Sequence, residues 1–254
     1  MIDTHTHLYD EKFDADRHEM IERAILQGVQ SFYLPNCDSS TIEPMLSVEA
    51  MFPAHCYAMM GLHPCYVKDN VEDEMLLVQQ WLEKRTFCAI GEIGLDYYWD
   101  KTFVQQQQHA FHAQIELALH YQLPIVIHTR EATKDTIAIV KNYIAKGLRG
   151  VFHCFSGSYE TANQIIEMGF YLGVGGVLTY PKAGLQEVIK KIDMKHLVLE
   201  TDAPYLTPVP FRGKRNESSY LVHIAEKLAN VKDGDVKEIM AQTTLNAKQL
   251  FQKN

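Results

Sequence analysis

The feature that most constrains the fold is an alternation of short apolar runs with longer amphipathic stretches along the whole chain. This alternation predicts a parallel sheet whose strands are joined by helical crossovers. The predicted strands are 2–7, 31–35, 57–63, 88–93, 124–128, 150–154, 171–173 and 196–200. The predicted helices are 14–27, 41–51, 72–84, 103–121, 133–146, 159–168 and 186–192, followed by 219–229 and 235–251.

Eight such units follow one another without an intervening linker. This arrangement favours closure into one (β/α)8 TIM barrel, with residues 1–254 as a single domain. The length of 254 residues is close to the roughly 250 that such a barrel needs. A doubly wound open sheet has the same periodicity, so the strands alone leave both architectures open. The positions of the metal-binding residue types decide between them.

The first predicted strand carries two histidines on one face. His5 and His7 are two residues apart, and the period of two in a strand directs both imidazoles to the same side. Two neighbouring imidazoles make half of a metal site. Asp3 lies on the same face one step earlier, where we expect it to orient a ligand rather than bind a metal.

Further residues of metal-binding type fall at the ends of other predicted strands. They are His63 on the third, Glu92 on the fourth, His128 on the fifth, His153 on the sixth and Asp202 after the eighth. In an α/β barrel the carboxyl ends of the strands meet on one face, the face that carries active sites. This expected convergence favours the barrel over the open sheet.

Four histidines and two carboxylates are too many for one four-coordinate zinc ion, but they suit two divalent ions that share a carboxylate. The predicted metal ligands are His5, His7, Glu92, His128, His153 and Asp202. Glu92 is the expected bridge, and Asp202 could also accept a proton from the attacking water. Such a pair of ions favours hydrolysis, most naturally of a phosphoester, and zinc, manganese, iron, nickel and magnesium all suit the ligands.

Glu200 allows two interpretations. It either forms a hydrogen bond that orients a metal ligand or is a buried carboxylate paired with a backbone group or a cation.

Basic residues near the predicted site allow two interpretations. The proline-containing loop after the eighth strand carries Arg212, Lys214 and Arg215. These side chains either bind a substrate phosphate or are simply solvated. Arg130, just after the fifth strand, allows the same two interpretations.

The composition limits the classes of function. The net charge of -8 and the pI near 5.8 argue against the broad basic surface of most nucleic-acid binders, so bound cations would have to attract such a substrate. Five cysteines without a C-x-x-C pair predict reduced thiols in a cytoplasmic protein. No basic, apolar leader and no run of about 20 apolar residues is evident, so we expect neither export nor membrane insertion, and no obligate protein partner is predicted.

Six short motifs together resemble the TatD family of metal-dependent deoxyribonucleases, within the metallo-dependent hydrolase superfamily. They are D-T-H-T-H-L, G-L-H-P, G-E-I-G-L-D, P-I-V-I-H-T-R, F-H-C-F-S-G and L-E-T-D-A-P, in the order found in that family. The R-G-K-R-N loop extends the match to Asn216. The set of motifs is specific, whereas each one alone would be weak.

The resemblance implies how the predicted ligands are divided between two metals. One metal would take His5, His7 and Asp202, the other His128 and His153, with Glu92 shared. It implies that His63 lies near the scissile phosphate. It also implies hydrolysis of nucleic acid as a 3′-to-5′ exonuclease on single-stranded DNA, with RNA as a further candidate substrate.

Two other classes of function remain open on the sequence. The same dinuclear site could hydrolyse a small phosphoester, lactone or amide, because this barrel carries many hydrolases and the acidic surface suits a small substrate. A catalytically silent scaffold is a third class, which the complete set of expected ligands disfavours.

Overall fold

The computed structural model describes residues 1–251, which contain eight strands and nine helices. The strands are β1 Ile2–Asp3, β2 Ser31–Leu34, β3 Cys56–Ala58, β4 Ile90–Asp96, β5 Ile125–Arg130, β6 Gly150–Phe152, β7 Tyr171–Val174 and β8 Leu197–Leu199. The helices are α1 Arg17–Leu26, α2 Ile42–Met51, α3 Val71–Lys84, α4 Val104–Tyr121, α5 Thr133–Lys141, α6 Tyr159–Glu167, α7 Leu185–Lys191, α8 Leu221–Lys232 and α9 Val236–Phe251.

The eight strands form a closed parallel barrel, as predicted. Regular ladders join neighbouring strands in sequence order, from β1 through β2 to β3 and from β4 through to β8. A parallel bridge between Met60 and Ile90 connects β3 to β4. On the other side, the Thr4 amide donates to the Leu199 carbonyl at 3.0 Å and so joins β1 to β8. The expected barrel is confirmed, and the open sheet is excluded.

The core has an inner and an outer part. Inside the amino end of the barrel, alternate strand residues pack against each other and against the end of α9, where the Phe251 ring stacks on Tyr33 with centroids 3.8 Å apart. These inner residues lie in the strands or directly beside them and are Ile2, Tyr33, Met59, Ala89, Val126, Val151 and Val198. A larger cluster fills the space between barrel and helices. The packed lower half leaves the carboxyl end free for polar side chains.

Local sequence explains several element boundaries. The Ser158 hydroxyl accepts the Thr161 amide at 3.2 Å and caps the start of α6. The predicted helix 133–146 is shorter, because α5 stops at Lys141 and a separate 3-10 turn covers Ile144–Lys146. Gly147, with φ +88°, ends that turn in a left-handed conformation that a glycine adopts readily.

β1 and β3 end four or more residues before their predicted ends. β1 ends at Asp3 rather than at residue 7, although the Thr6 amide still reaches the Tyr33 carbonyl at 3.1 Å. β3 ends at Ala58 rather than at residue 63. Beyond β3, the side-chain amide of Gln114 on α4 accepts a hydrogen bond from the Leu62 N–H and donates one to the Leu62 carbonyl. These backbone groups would otherwise pair with a neighbouring strand.

β4 and β5 extend two or more residues beyond their predicted ends. β4 extends to Asp96 and β5 to Arg130, so Glu92 and His128 lie within strands rather than at their ends. β4 also contains a bulge, because Ile90 pairs with Ile125 and Ile93 with Ile127.

Two further features concern thiols and membranes. The five cysteines are free. None of the helices within residues 1–251 has both the length and the apolar character that spanning a bilayer requires.

Candidate metal centre

The six predicted metal ligands lie together at the carboxyl end of the barrel. The Nε2 atom of His5 is 3.1 Å from Glu92 Oε2 and 3.6 Å from Asp202 Oδ1. The Nε2 atom of His7 is 3.4 Å from the same Asp202 oxygen. His5 and His7 lie in the loop after β1, and Asp202 in the loop after β8. Closure of the barrel between β8 and β1 therefore brings these three residues together.

The carboxylate of Glu92 lies between two groups of histidines. Its Oε2 faces His5 at 3.1 Å and His7 at 3.8 Å. Its Oε1 contacts His153 Nε2 at 2.7 Å and His128 Nδ1 at 2.9 Å. Each oxygen therefore faces its own pair of imidazoles, which is the arrangement that a bridging carboxylate needs.

The donor atoms form overlapping clusters of metal-binding size. Three clusters, each with its donor atoms within 4.8 Å of one another, are His5–His7–Glu92, Glu92–His128–His153 and His5–His153–Asp202. Imidazoles and carboxylates are suitable ligands for zinc, manganese and magnesium. The overlap through Glu92, His5 and His153 suits two ions better than one.

The hydrogen bonding of the histidines also fits a metal centre. Among residues 1–251, both ring nitrogens of His5 are buried without a hydrogen-bond partner, which is costly unless another group binds there. His153 Nδ1 also has no hydrogen-bond partner among the described residues. The outer nitrogens of two other rings contact oxygen atoms: His7 Nδ1 contacts Tyr9 Oη at 2.9 Å, and His128 Nε2 contacts Asp96 Oδ2 at 2.8 Å. With the proton on the outer nitrogen, the inner nitrogen keeps its lone pair for a metal.

Two predicted supporting carboxylates lie behind the ligands. Glu200 Oε1 is 3.5 Å from His153 Nδ1, while Glu200 Oε2 is buried without a hydrogen-bond partner. Asp3 contacts the backbone of a predicted ligand, because its Oδ1 accepts the His5 amide at 3.4 Å. Its carboxylate accepts hydrogen bonds from the amide and hydroxyl of Thr201 and from the Ser218 hydroxyl. Asp3 therefore holds the end of β1 against the segment that carries Asp202.

Burial and the neighbouring charges set the protonation of the cluster. Burial raises the pKa of Glu92, but the surrounding imidazoles, His153 foremost, hold that pKa well below its ordinary value. Burial, together with the nearby His153, lowers the pKa of His5. Glu92 is thus an anion and His5 a neutral imidazole, the forms in which both can bind a metal.

His63 is close to the cluster but is held differently. Its Nε2 is 3.3 Å from Glu92 Oε1, and its Nδ1 accepts the Cys65 amide at 3.0 Å. Nδ1 is thus an acceptor, so the ring proton lies on Nε2, which faces the cleft. The donor atoms of His63, Cys65 and His128 also come within 4.8 Å of one another.

The basic residues predicted to bind substrate separate into two groups. Arg130 lines a cleft of about 1190 Å³ above the cluster, together with His63 and Asp202. The loop residues Arg212, Lys214 and Arg215 are not among the residues that line it. Arg212 and Lys214 lie over the rings of Tyr180 and Phe211. Arg215 makes a two-pronged ion pair with Asp16 at 2.6 and 2.8 Å.

Two residues that contact the cluster were absent from the sequence prediction. Asp96 follows Glu92 by four residues on β4, so the period of two could have placed both on one face. The predicted strand stopped at residue 93, which hid this relation. Tyr9 follows His7 by two residues, and its hydroxyl donates to the Pro35 carbonyl at 2.5 Å while it contacts His7.

Comparison with known proteins identifies relatives along the whole chain. A family model described as TatD related DNase matches residues 2–252. An uncharacterized metal-dependent hydrolase, YabD of Bacillus subtilis, is 41% identical over 100% of both chains. A protein of Erwinia tasmaniensis named 3′-5′ ssDNA/RNA exonuclease TatD is 32% identical over 99% of both chains.

A solved structure supports the same relationship. The crystal structure of YjjV, a TatD homologue from Escherichia coli, superposes with a TM-score of 0.93 at 30% identity and covers 100% of this chain and 98% of its own. The family match, the relatives and the buried cluster of histidines and carboxylates agree with one another. This chain belongs to the TatD family of metal-dependent hydrolases, which are enzymes of the nuclease type.

Proposed function

We propose that the protein is a 3′-to-5′ exonuclease that hydrolyses single-stranded DNA, and RNA as a second substrate, in the cytoplasm and with two divalent ions per chain. The observation that carries the proposal is the position of Glu92 between two pairs of imidazoles. The proposed ligands are His5, His7 and Asp202 for one ion and His128 and His153 for the other, with Glu92 shared. The name of the Erwinia relative supports the substrate class and the polarity.

The protein groups around the proposed ions have separate tasks. Two bound divalent ions would supply an activated water and would neutralise the charge on the phosphate oxygens. The side chain of Asp202 is 14% exposed and lines the cleft, so it can accept a proton from the attacking water. His63, protonated on Nε2, can donate a hydrogen bond to a phosphate oxygen. Arg130 is the proposed cationic contact at the wall of the cleft.

The proposal is tested with 5′-labelled single-stranded oligonucleotides and protein loaded with zinc, manganese or magnesium. We expect products that shorten progressively from the 3′ end and a loss of activity on addition of a chelator. Glu92→Gln removes the bridging charge while keeping the side-chain shape, and we expect its activity to fall to background. The matched control is Glu72→Gln on α3, where the side chain is 80% exposed and lies outside the residues that line the cleft.

Two outcomes would contradict the proposal. One is a protein that binds two metals and turns over only small phosphoesters, lactones or amides. The other is cleavage of oligonucleotides that persists at the wild-type rate in Glu92→Gln. The loop residues Arg212, Lys214 and Arg215 remain proposed substrate contacts, and substitution of each by alanine measures whether they affect KM.

A further inference from the structure

An exposed pair of aromatic rings lies at the top of β4, beside the proposed metal centre. Tyr98 and Trp99 are 47% and 68% exposed, which is unusual for rings of this size. Their centroids are 4.9 Å apart in an edge-to-face arrangement. Trp99 lines the same cleft as the proposed ligands. Water therefore covers apolar ring surface at the place where substrate would enter.

Asp96 fixes this aromatic turn to the metal centre. The Asp96 Oδ1 atom accepts the amides of Tyr98 at 2.9 Å and Trp99 at 3.2 Å. Its Oδ2 atom contacts His128 Nε2 at 2.8 Å. One carboxylate thus sets both the orientation of a proposed metal ligand and the path of the turn. The rings are held at a fixed position relative to the reacting centre.

Arg130 lies on these rings without a carboxylate partner. Its guanidinium carbon is 3.7 Å from the centroid of Tyr98 and 5.2 Å from that of Trp99. Asp96 and Arg130 are register partners on β4 and β5, which brings the guanidinium over the turn. Within residues 1–251, Arg130 forms no ion pair. A guanidinium stacked on a ring keeps the N–H groups at its edge free for an anion.

The other guanidinium that lines the cleft provides a contrast. Arg17 is bonded to the Asp14 carboxylate and to the carbonyls of Leu8, Tyr9 and Asp10. Its donors are therefore in use. Asp10, Glu11 and Asp14 also line the cleft and would repel a polyanion. The unpaired guanidinium of Arg130 and the exposed rings of Tyr98 and Trp99 thus occur together, at the turn that Asp96 holds. The cleft is also lined by Lys12, whose ammonium lies over the Tyr205 ring.

We propose that Trp99, Tyr98 and Arg130 form a nucleotide subsite, in which a base of single-stranded nucleic acid stacks on Trp99 and the adjoining phosphate binds Arg130. Aromatic faces and an unpaired cation are the two groups that single-stranded nucleic acid needs from a protein. The subsite favours single strands, because the bases of a duplex are already stacked. This inference deepens the proposed nuclease function and rests on it.

Fluorescence gives a test that does not depend on hydrolysis. The chain has two tryptophans, and Trp81 lies on α3 with Lys84 Nζ 4.3 Å from its ring centroid, outside the residues that line the cleft. Trp81→Phe combined with Glu92→Gln leaves Trp99 as the single probe in a protein expected not to cleave. We expect oligothymidylate to quench this fluorescence at saturation. An abasic oligonucleotide with the same number of phosphates should leave it unchanged.

Kinetics test whether the stacking contributes to catalysis. Loss of one base stack lowers affinity by about 5- to 100-fold. We expect Trp99→Ala to raise KM for an oligonucleotide within that range, Trp99→Phe to restore most of the affinity, and Trp81→Phe to behave as wild type. On an abasic oligonucleotide, Trp99→Ala and wild type should have equal KM values. Arg130→Lys should weaken binding of both substrates, because the phosphate contact does not depend on the base.

The outcomes separate this inference from the proposed function. Quenching of Trp99 by oligothymidylate without hydrolysis by any metal-loaded form supports the subsite and overturns the nuclease. Hydrolysis of oligonucleotides with no quenching and with an unchanged KM in Trp99→Ala overturns the subsite and leaves the nuclease. Equal quenching by the abasic oligonucleotide also overturns the subsite, because a base would then not be the group that contacts Trp99.

Discussion

Asp96 shows how much a single side chain can decide in this protein. Its carboxylate is almost fully buried and contacts the outer nitrogen of His128. Burial raises the pKa of Asp96, but the hydrogen bond with His128 and those from the amides of Tyr98 and Trp99 hold that pKa below its ordinary value. The group is therefore an anion, and it keeps the His128 proton on Nε2.

Asp96→Asn should weaken metal binding without unfolding the protein. The amide keeps an oxygen for the turn amides, but its NH2 group faces His128 Nε2 and favours the tautomer that protonates Nδ1, the nitrogen beside Glu92. Loss of such a support lowers metal affinity by about 10- to 100-fold. Metal titration monitored by calorimetry measures this loss, with circular dichroism as a check on folding.

Asp100→Asn is the matched control for Asp96→Asn, because it makes the same chemical change four residues later, in the loop that follows β4. Asp100 is bonded to the Lys68 ammonium and to the Thr102 amide and lies outside the cluster. The metal affinity of Asp100→Asn should equal that of the wild type. Equal affinity in Asp96→Asn as well would mean that Asp96 shapes the turn and has no effect on the metal centre.

At the level of elements, the sequence predicted the number and order of strands better than their ends. The alternation of apolar runs is a local property, so it identified all eight strands. Strand ends depend on neighbours that the sequence does not reveal. β3 stops where Gln114 of α4 takes over the backbone of Leu62, and β4 extends because β5 continues beside it. The pairing of His7 with Tyr9 and of His128 with Asp96 depends on such contacts and was missed for that reason.

Gly94→Ala should disrupt the close approach of β4 and β5. A Cβ atom at Gly94 would lie 2.0 Å from the His128 carbonyl oxygen, and its φ of +141° disfavours a side chain. We expect a loss of about 3 to 5 kcal/mol in the free energy of unfolding, from the backbone strain and the clash together. Urea unfolding in the presence of a chelator measures it without a contribution from metals.

The control for Gly94→Ala is Gly147→Ala, which shares a positive φ but has open space around its Cβ position. The free energy of unfolding of Gly147→Ala should fall only by the cost of the left-handed backbone conformation, about 1 to 2 kcal/mol. If both variants lose the same free energy, the contact with the His128 carbonyl is not what restricts position 94.

Ion pairs of Asp16 attach the loop after β8 to the start of α1, and their contribution to stability depends on pH. Hydrogen bonds from Arg215, followed by those from Arg23, lower the pKa of Asp16 from 3.8 to about 2. A carboxylate with a depressed pKa in the folded state stabilises the fold above pH 3.8 and loses that effect as the pH falls toward 2. The side chain is about one-third exposed, so solvent screens the interaction.

Asp16→Asn should lower the free energy of unfolding by about 1 kcal/mol at pH 7, after allowance for screening. The difference from wild type should be about half as large at pH 3. Urea titrations at a series of pH values measure it. Asp69→Asn, which makes the same chemical change at an exposed position in the loop before α3, is the control. A difference that stays constant from pH 7 to pH 3 would show that the charge of Asp16 does not hold the loop.

At the scale of the whole molecule, we propose that residues 1–254 form one domain. The closure of β1 on β8 and the packing of Phe251 of α9 on Tyr33 of β2 support this proposal, because they join the two ends of the chain to the same barrel. The closed barrel also explains why residues as distant in sequence as His5 and Asp202 can share one centre. The net charge of -8 means that long-range attraction of a polyanion has to come from that centre and from few cations such as Arg130.

Removal of metal should therefore lower the stability of the whole molecule, because the cluster joins residues that lie within or shortly after five of the eight strands. Without a metal, the buried nitrogens of His5 have no hydrogen-bond partner and the Glu92 charge is balanced only by imidazoles. A metal present at about 100 times its dissociation constant stabilises the native state by about 2.7 kcal/mol, which corresponds to a Tm increase of about 5 to 10 °C for a chain of this size. Scanning calorimetry with and without chelator measures the shift in Tm.

The Tm of Glu92→Gln should change little or not at all on addition of metal, whereas the Tm of Glu72→Gln should rise as much as that of the wild type. A Tm that does not respond to chelator in the wild type, while metal analysis shows that the ions are gone, would mean that the cluster is assembled by the fold alone and that the bound ions serve only the reaction.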